Sequence, residues 1–119
     1  MVYAAFYELV IYKNATFNPS FTWQDNGSNI YDLSGYTGKM EIRQSVDSPN
    51  PPAISLTTSN GGMILSSTSP NITLFISDVN TEAIVIPSGV YSLLLKSPGG
   101  IVSEILHGKV KIISNPTKS

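Results

Sequence analysis

The chain has 119 residues, 41% of them hydrophobic and only 13% charged, with a net charge of −1, one histidine and no cysteine. That length suits one domain, the apolar content excludes a disordered chain, and the missing cysteine excludes disulfides and thiolate metal centres. Near-neutrality, with no run of basic residues along the sequence, leaves no global field to draw in nucleic acid or an acidic membrane.

The charged fraction lies well under the usual quarter. Either the surface is rich in Ser, Thr and Asn, or partners cover much of it. No apolar run approaches the ~20 residues of a spanning helix. The apolar start, Met1 to Tyr12, has no basic leader segment and carries Glu8. It reads as a strand and not as a signal peptide. The sequons at Asn14, Asn26 and Asn71 then read as chance matches in a chain rich in Asn, Ser and Thr.

In chain order, Val2 to Tyr12 is rich in β-formers. Tyr3, Ala5, Tyr7, Leu9 and Ile11 share one face; Phe6, Glu8, Val10 and Tyr12 share the other. Both faces are mainly apolar, which a solvated edge strand would not be. Either both are buried in the domain or one meets another chain. Tyr3, Phe6, Tyr7, Val10 and Tyr12 are therefore the candidate interface residues, since tyrosines of this kind are frequent at protein interfaces.

Phe17, Phe21 and Trp23 share parity and read as a core stripe, with a sugar-stacking platform as the rival reading. Pro19 within this run implies an edge position or a break. Asp25-Asn26-Gly27-Ser28 and Asp32-Leu33-Ser34-Gly35 are turns. Gly38 to Gln44 alternates cleanly, with Met40 and Ile42 inward and Lys39, Glu41 and Arg43 outward. The Pro-rich segment 45–52 is a loop. Ile54 and Leu56 begin a strand, Asn60-Gly61-Gly62 turns it into Met63-Ile64-Leu65, and Ile72, Leu74 and Ile76 alternate again. Ser77 to Ala83 is the single helical candidate, with Ser77 as its cap.

Val90 to Ile113 reads as two long strands around a turn at Pro98-Gly99-Gly100. Tyr91, Leu93 and Leu95 share one face of the first strand. Val102, Leu106, Val110 and Ile112 share parity in the second, with Ser103, His107, Lys109 and Lys111 opposite. Gly108 in mid-strand predicts a bulge or a close backbone approach. The whole gives about eight short strands and one short helix, an all-β, antiparallel immunoglobulin-like β-sandwich; a small closed barrel is the alternative. The expected organisation is an N-terminal strand or arm over 1–13, the sandwich over 14–114 and a polar tail over 115–119.

Chemistry is nearly absent. His107 has no visible catalytic or metal-binding partner, and the carboxylates stand apart or cap turns. No nucleophile-elbow, phosphate-loop or calcium-loop motif occurs. No cofactor and no enzymatic activity are expected.

Ordered motifs along most of the chain carry a resemblance. They run from ATFNPSFTWQDNG (Ala15 to Gly27), IYDLSGYT (Ile30 to Thr37) and MEIR (Met40 to Arg43) through LTTSNGGMIL (Leu56 to Leu65) and ITLFIS (Ile72 to Ser77). SGVYSLLLKSPGG (Ser88 to Gly100) and LHGKVKI (Leu106 to Ile112) complete them. Together they resemble small tailed-phage virion proteins and the N-terminal β-sandwich of siphophage upper baseplate proteins. The resemblance implies a structural protein of the virion, a tail or baseplate adaptor that docks a fibre or receptor-binding protein. Upper baseplate proteins continue into a fibre-forming region, so docking here is expected to be non-covalent. The alternatives are a capsid decoration protein bridging capsomers of the major capsid protein and, third, a carbohydrate-binding module. Expected partners are other virion proteins and further copies of the chain, not nucleic acid or membrane.

Overall fold

The computed structural model describes residues 5–24, 27, 29–47 and 52–114, with residues 5 and 6 by backbone alone. Tyr3, the tail 115–119 and most of the turn at Asp25-Asn26-Gly27-Ser28 lie outside the described residues. The strands are β1 (Ala5–Phe6), β2 (Leu9–Tyr12), β3 (Ser20–Phe21), β4 (Thr37–Arg43), β5 (Ile54–Thr57), β6 (Met63–Leu65), β7 (Ile72–Leu74), β8 (Ser88–Lys96) and β9 (Val102–Ile113). One helix, α1 (Asp78–Glu82), links β7 to β8.

These strands form two sheets. The larger has the order β1-β9-β8-β4-β5, with β2 also paired to β9; the smaller has the order β3-β7-β6. Alternation explains the packing between them. From the large sheet Leu9, Ile11, Met40, Ile42, Tyr91, Leu93, Leu95, Leu106 and Val110 point inward and are buried. Met63, Ile72, Leu74 and Ile76 meet them from the other side. Each such side chain contributes about 1.5–3 kcal/mol of transfer free energy. The expected immunoglobulin-like sandwich is the architecture observed, and it is not a closed barrel.

Local signals hold where side chains act on their own backbone. Asp32 accepts hydrogen bonds from the Ser34 amide (2.9 Å) and hydroxyl (2.6 Å), closing its corner and holding its carboxyl below the usual range. Ser77 caps α1 by accepting from the Asn80 amide. Phe17, Phe21 and Trp23 are half-buried against the core, as the stripe predicts. Pro19 lies just before β3, an edge strand, and its carbonyl accepts from the Leu74 amide at 2.9 Å, so the pairing continues through it and the edge position is what accommodates it. Asn71, 1% exposed, accepts from the Trp23 amide and donates to the Trp23 and Tyr31 carbonyls. A side chain so enclosed is no glycosylation acceptor in the folded protein.

Two expectations change. The N-terminal strand is neither one piece nor antiparallel. β1 and β2 run parallel to β9, with Ala5 opposite Leu106 and Leu9 opposite Val110. They share one register, interrupted where Tyr7 crosses Gly108. Leu9 and Ile11 belong to the core, so this segment is part of the sandwich and offers only its outer face and edge. In β9, Val102 does not share the buried face. Leu93 pairs with Leu106 but Leu94 pairs with Glu104, which leaves Ile105 as the extra residue of a bulge. Ile105 and Leu106 are both buried, at 5% and 8%, and Val102 is 55% exposed. Strict alternation cannot bury two adjacent apolar residues; a bulge can, and it reverses the parity of everything before it. Ser103 changes sides for the same reason.

Gly108 is the close-approach position. Its φ is +155°, and a Cβ there would lie 2.5 Å from the Tyr7 carbonyl oxygen. Gly108→Val is expected to destabilise the protein by about 2–4 kcal/mol in urea unfolding. Gly99→Ala, where a Cβ meets only Ser97 Oγ at 3.8 Å, is expected to stay within about 0.5 kcal/mol of wild type.

Candidate interaction surface: an open strand edge and a basic sheet face

The N-terminal strand is held by one row of residues across three strands. Tyr91 on β8 pairs with Gly108 on β9, and Tyr7 follows next across the sheet. With no side chain at Gly108, the Tyr91 ring crosses β9, and its hydroxyl donates to the Tyr7 carbonyl at 2.6 Å. Tyr91 is 4% exposed. Burial, helped by the nearby Tyr7 hydroxyl, pushes its phenol up to about 12. The Tyr7 ring is half exposed and stands edge-on to Phe21 at 5.4 Å, closing that side of the sandwich.

Beyond this anchor the outer edge of β2 has no paired strand among the described residues. Tyr7 and Lys13 donate their amides to the carbonyls of His107 and Ile113. A parallel ladder bonds alternate residues, so Glu8 and Val10 turn their N–H and C=O groups away from β9. The Tyr12 carbonyl is taken by the Ala15 amide at 3.3 Å, as the chain turns through Asn14 at φ +68°. Val10 is half-buried beside Lys111, and Tyr12 is 53% exposed beside Ile113. Of the candidate interface residues, Val10 and Tyr12 thus lie together on the outer face at the open edge. Tyr7 is placed on the opposite side. Phe6 is placed on β1, with its side chain outside the described residues, as is Tyr3.

The outer face of the large sheet collects charge that the sequence disperses. Lys39, Glu41 and Arg43 project from β4, Lys96 from β8, and Glu104, Lys109 and Lys111 from β9. Arg43 bonds Glu41 at 2.8 Å and Lys39 lies 3.3 Å from it; the Arg43 bond holds the Glu41 carboxyl below its ordinary range. In successive rows Val90 lies between Lys109 and Arg43, Ser92 between His107 and Glu41, and Leu94 between Glu104 and Lys39. A shallow concavity of about 490 Å³ opens here, lined by Glu41, Arg43, Val46, Val90, His107 and Lys109 among others. Each residue's outward parity is readable in the sequence. Their assembly is not, because it depends on strand order.

Trp23 does not offer a free platform. Tyr31 packs on it at 4.4 Å, its backbone is gripped by Asn71, and its indole Nε1 is buried. Among the described residues no group of three His, Cys, Asp or Glu residues could hold a metal ion. No helix among them is long and apolar enough to cross a membrane.

A known structure shares this architecture. An extracellular domain of the voltage-gated sodium channel beta4 subunit, solved as parallel homodimers that explain its role in cell–cell adhesion, aligns with a TM-score of 0.52. The match covers 97% of this chain and 97% of that one at 9% sequence identity. A structure from a photo-crosslinking study of multimeric cell-adhesive interactions of VGSC beta subunits aligns at 0.47, with 10% identity over 94% of this chain and 93% of that one. At such identity the first of these shows the fold alone, an immunoglobulin-like sandwich. No family model matches the chain, and no curated protein matches it.

The anchor responds to pH in one direction. A phenol whose folded pKa is about 12, against about 10 unfolded, favours the folded state while it stays neutral. Its contribution is complete below pH 10 and lost as pH rises from 10 to about 12. Tyr91→Phe is expected to lower stability by about 1 kcal/mol at neutral pH. It should also flatten the alkaline decline, measured as urea midpoints from pH 8 upward. An unchanged decline would remove Tyr91 as its source.

Proposed function

We propose that the protein is a non-enzymatic structural component of a bacteriophage virion: an adaptor of the tail or baseplate that docks a fibre or receptor-binding protein. The open edge of β2 carries this reading. Among the described residues no strand covers the backbone donors and acceptors at Glu8 and Val10, which lie beside an exposed Tyr12. A neighbouring strand added there would gain affinity from main-chain bonds and register from alternate side chains. Natural edges are usually blunted by charge, proline or a covering loop. Here the outward side chains are Glu8, Val10 and Tyr12, two of them apolar or aromatic.

The motif resemblance supports the virion setting. Its segments fall on strands and turns that build the sandwich: MEIR on β4, SGVYSLLLKSPGG on β8 and its turn, LHGKVKI on β9. The arrangement of polar groups supports a non-catalytic role. The ionisable side chains on the outer face are spread over a shallow surface, and His107, Glu41 and Glu104 do not converge on an enclosed cavity.

Deleting the N-terminal segment through β2 would remove Leu9 and Ile11 from the core, so the test uses the edge alone. Val10→Pro removes an amide that faces away from β9 and leaves the ladder intact. The variant is expected to fold, by its unfolding midpoint, yet to enter particles at least tenfold less than wild type when supplied in trans. A second variant, Val10→Lys with Tyr12→Lys, should do the same by charging the edge. Normal incorporation of both folded variants would defeat the docking role. Immunogold labelling confined to the capsid shell would move the protein to capsid decoration.

A further inference from the structure

The sheet face and the α1 end of the molecule are complementary to each other. Of the seven basic residues in the sequence, Lys39, Arg43, Lys96, Lys109 and Lys111 stand on one face, against the carboxylates Glu8, Glu41 and Glu104. The rest of the sequence carries five carboxylates and two lysines. A chain of net charge −1 is thus strongly polarised, with a surplus of positive charge on the large sheet and of negative charge elsewhere. Half-buried Val90 lies between the cations Lys109 and Arg43, and half-buried Leu94 lies between Lys39 and Glu104. The concavity beside Val90 gives this face room for a protruding apolar group with an acidic neighbour.

Such a protrusion exists at α1. Val79 is 71% exposed and Val85 is 90% exposed, among the most exposed large apolar side chains described. Asp78 and Glu82 lie in the same short stretch. The knob is rigid. Thr81, fully buried, donates to the Ala15 carbonyl at 3.0 Å and the Asp78 carbonyl at 2.9 Å. Ile84 is buried behind it.

We propose that the basic sheet face of one copy receives the α1 end of a second copy. Asp78 lies against Lys109 and Lys111, and Val79 and Val85 cover the apolar strip around Val90. Charge steers this encounter and fixes its register, while the apolar contacts retain it. The two surfaces are different, so the contact is heterologous. It leaves a free face and a free knob at either end, and it propagates into a ring or an open chain. The three longest strands, β9, β8 and β4, lie about 4.8 Å apart and rise about 3.3 Å per residue, enough to seat one helical turn and its flanks. The inference stands whether or not the virion reading does.

Sedimentation of the full chain tests it. Wild type is expected to self-associate with concentration, at least tenfold more weakly at about 0.5 M than at about 0.02 M salt. A face variant, Lys109→Glu with Lys111→Glu, and a knob variant, Val79→Ser with Val85→Ser, should each associate at least tenfold more weakly. All four positions are exposed, and circular dichroism checks the fold. An equimolar mixture holds one intact face and one intact knob, and should give one-to-one dimers and nothing larger. A wild type that stays monomeric, variants that associate as wild type does, or a mixture that stays monomeric would each overturn the proposal. Wild-type binding to phosphatidylserine vesicles without self-association would overturn it too, assigning the face to an anionic surface.

Discussion

The hydrogen bond from the Tyr91 hydroxyl to the Tyr7 carbonyl, passing over Gly108, is the constraint on which the rest of the structure turns. It joins the N-terminal segment to the last two strands, and the bonded residues are 84 positions apart in sequence. A parallel strand cannot reach its partner through a tight turn, so β1 and β2 depend on tertiary contacts to stay in place. Gly108 permits the approach, Tyr91 fills the space above it, and Leu9 and Ile11 follow into the core. The same row that fastens the strand breaks it, because Tyr7 must sit against the β9 backbone where a regular ladder would continue.

That break shapes the surface. β2 is fixed on its inner side and through one backbone edge, and its other edge faces outward. A segment anchored by buried Leu9 and Ile11 yet uncovered at Glu8 and Val10 is pre-ordered for pairing, so little conformational entropy would be lost when a partner strand adds. The Ile105 bulge acts similarly on the other side of the hairpin. By reversing parity it puts Val102 in solvent beside Lys96, and brings Glu104 to the face that also carries Lys39 and Arg43.

Local grammar in the sequence reached far into the fold. Met40 and Ile42, Ile72 and Leu74, and Tyr91, Leu93 and Leu95 are all inward, as alternation requires. The Asp32 corner and the Ser77 cap form because each side chain bonds a backbone group two or three residues away. Where the outcome needed two segments far apart, the signal was present but ambiguous. Gly108 announced a close approach without naming Tyr7. Val10 and Tyr12 were marked as an unsolvated face without showing which edge of the sheet they would occupy. The adjacent pair Ile105-Leu106 gave no parity that a single register could satisfy.

The sequence by itself determined the class of structure, an all-β sandwich, because a period of two and the placement of turn residues are properties of neighbouring positions. Only the tertiary structure decided that the first strand runs parallel to the last, that a bulge redirects β9, and that five dispersed cations share one face. Those features depend on which strands lie side by side, and strand order is set by the packing of the whole core rather than by any one stretch of the chain.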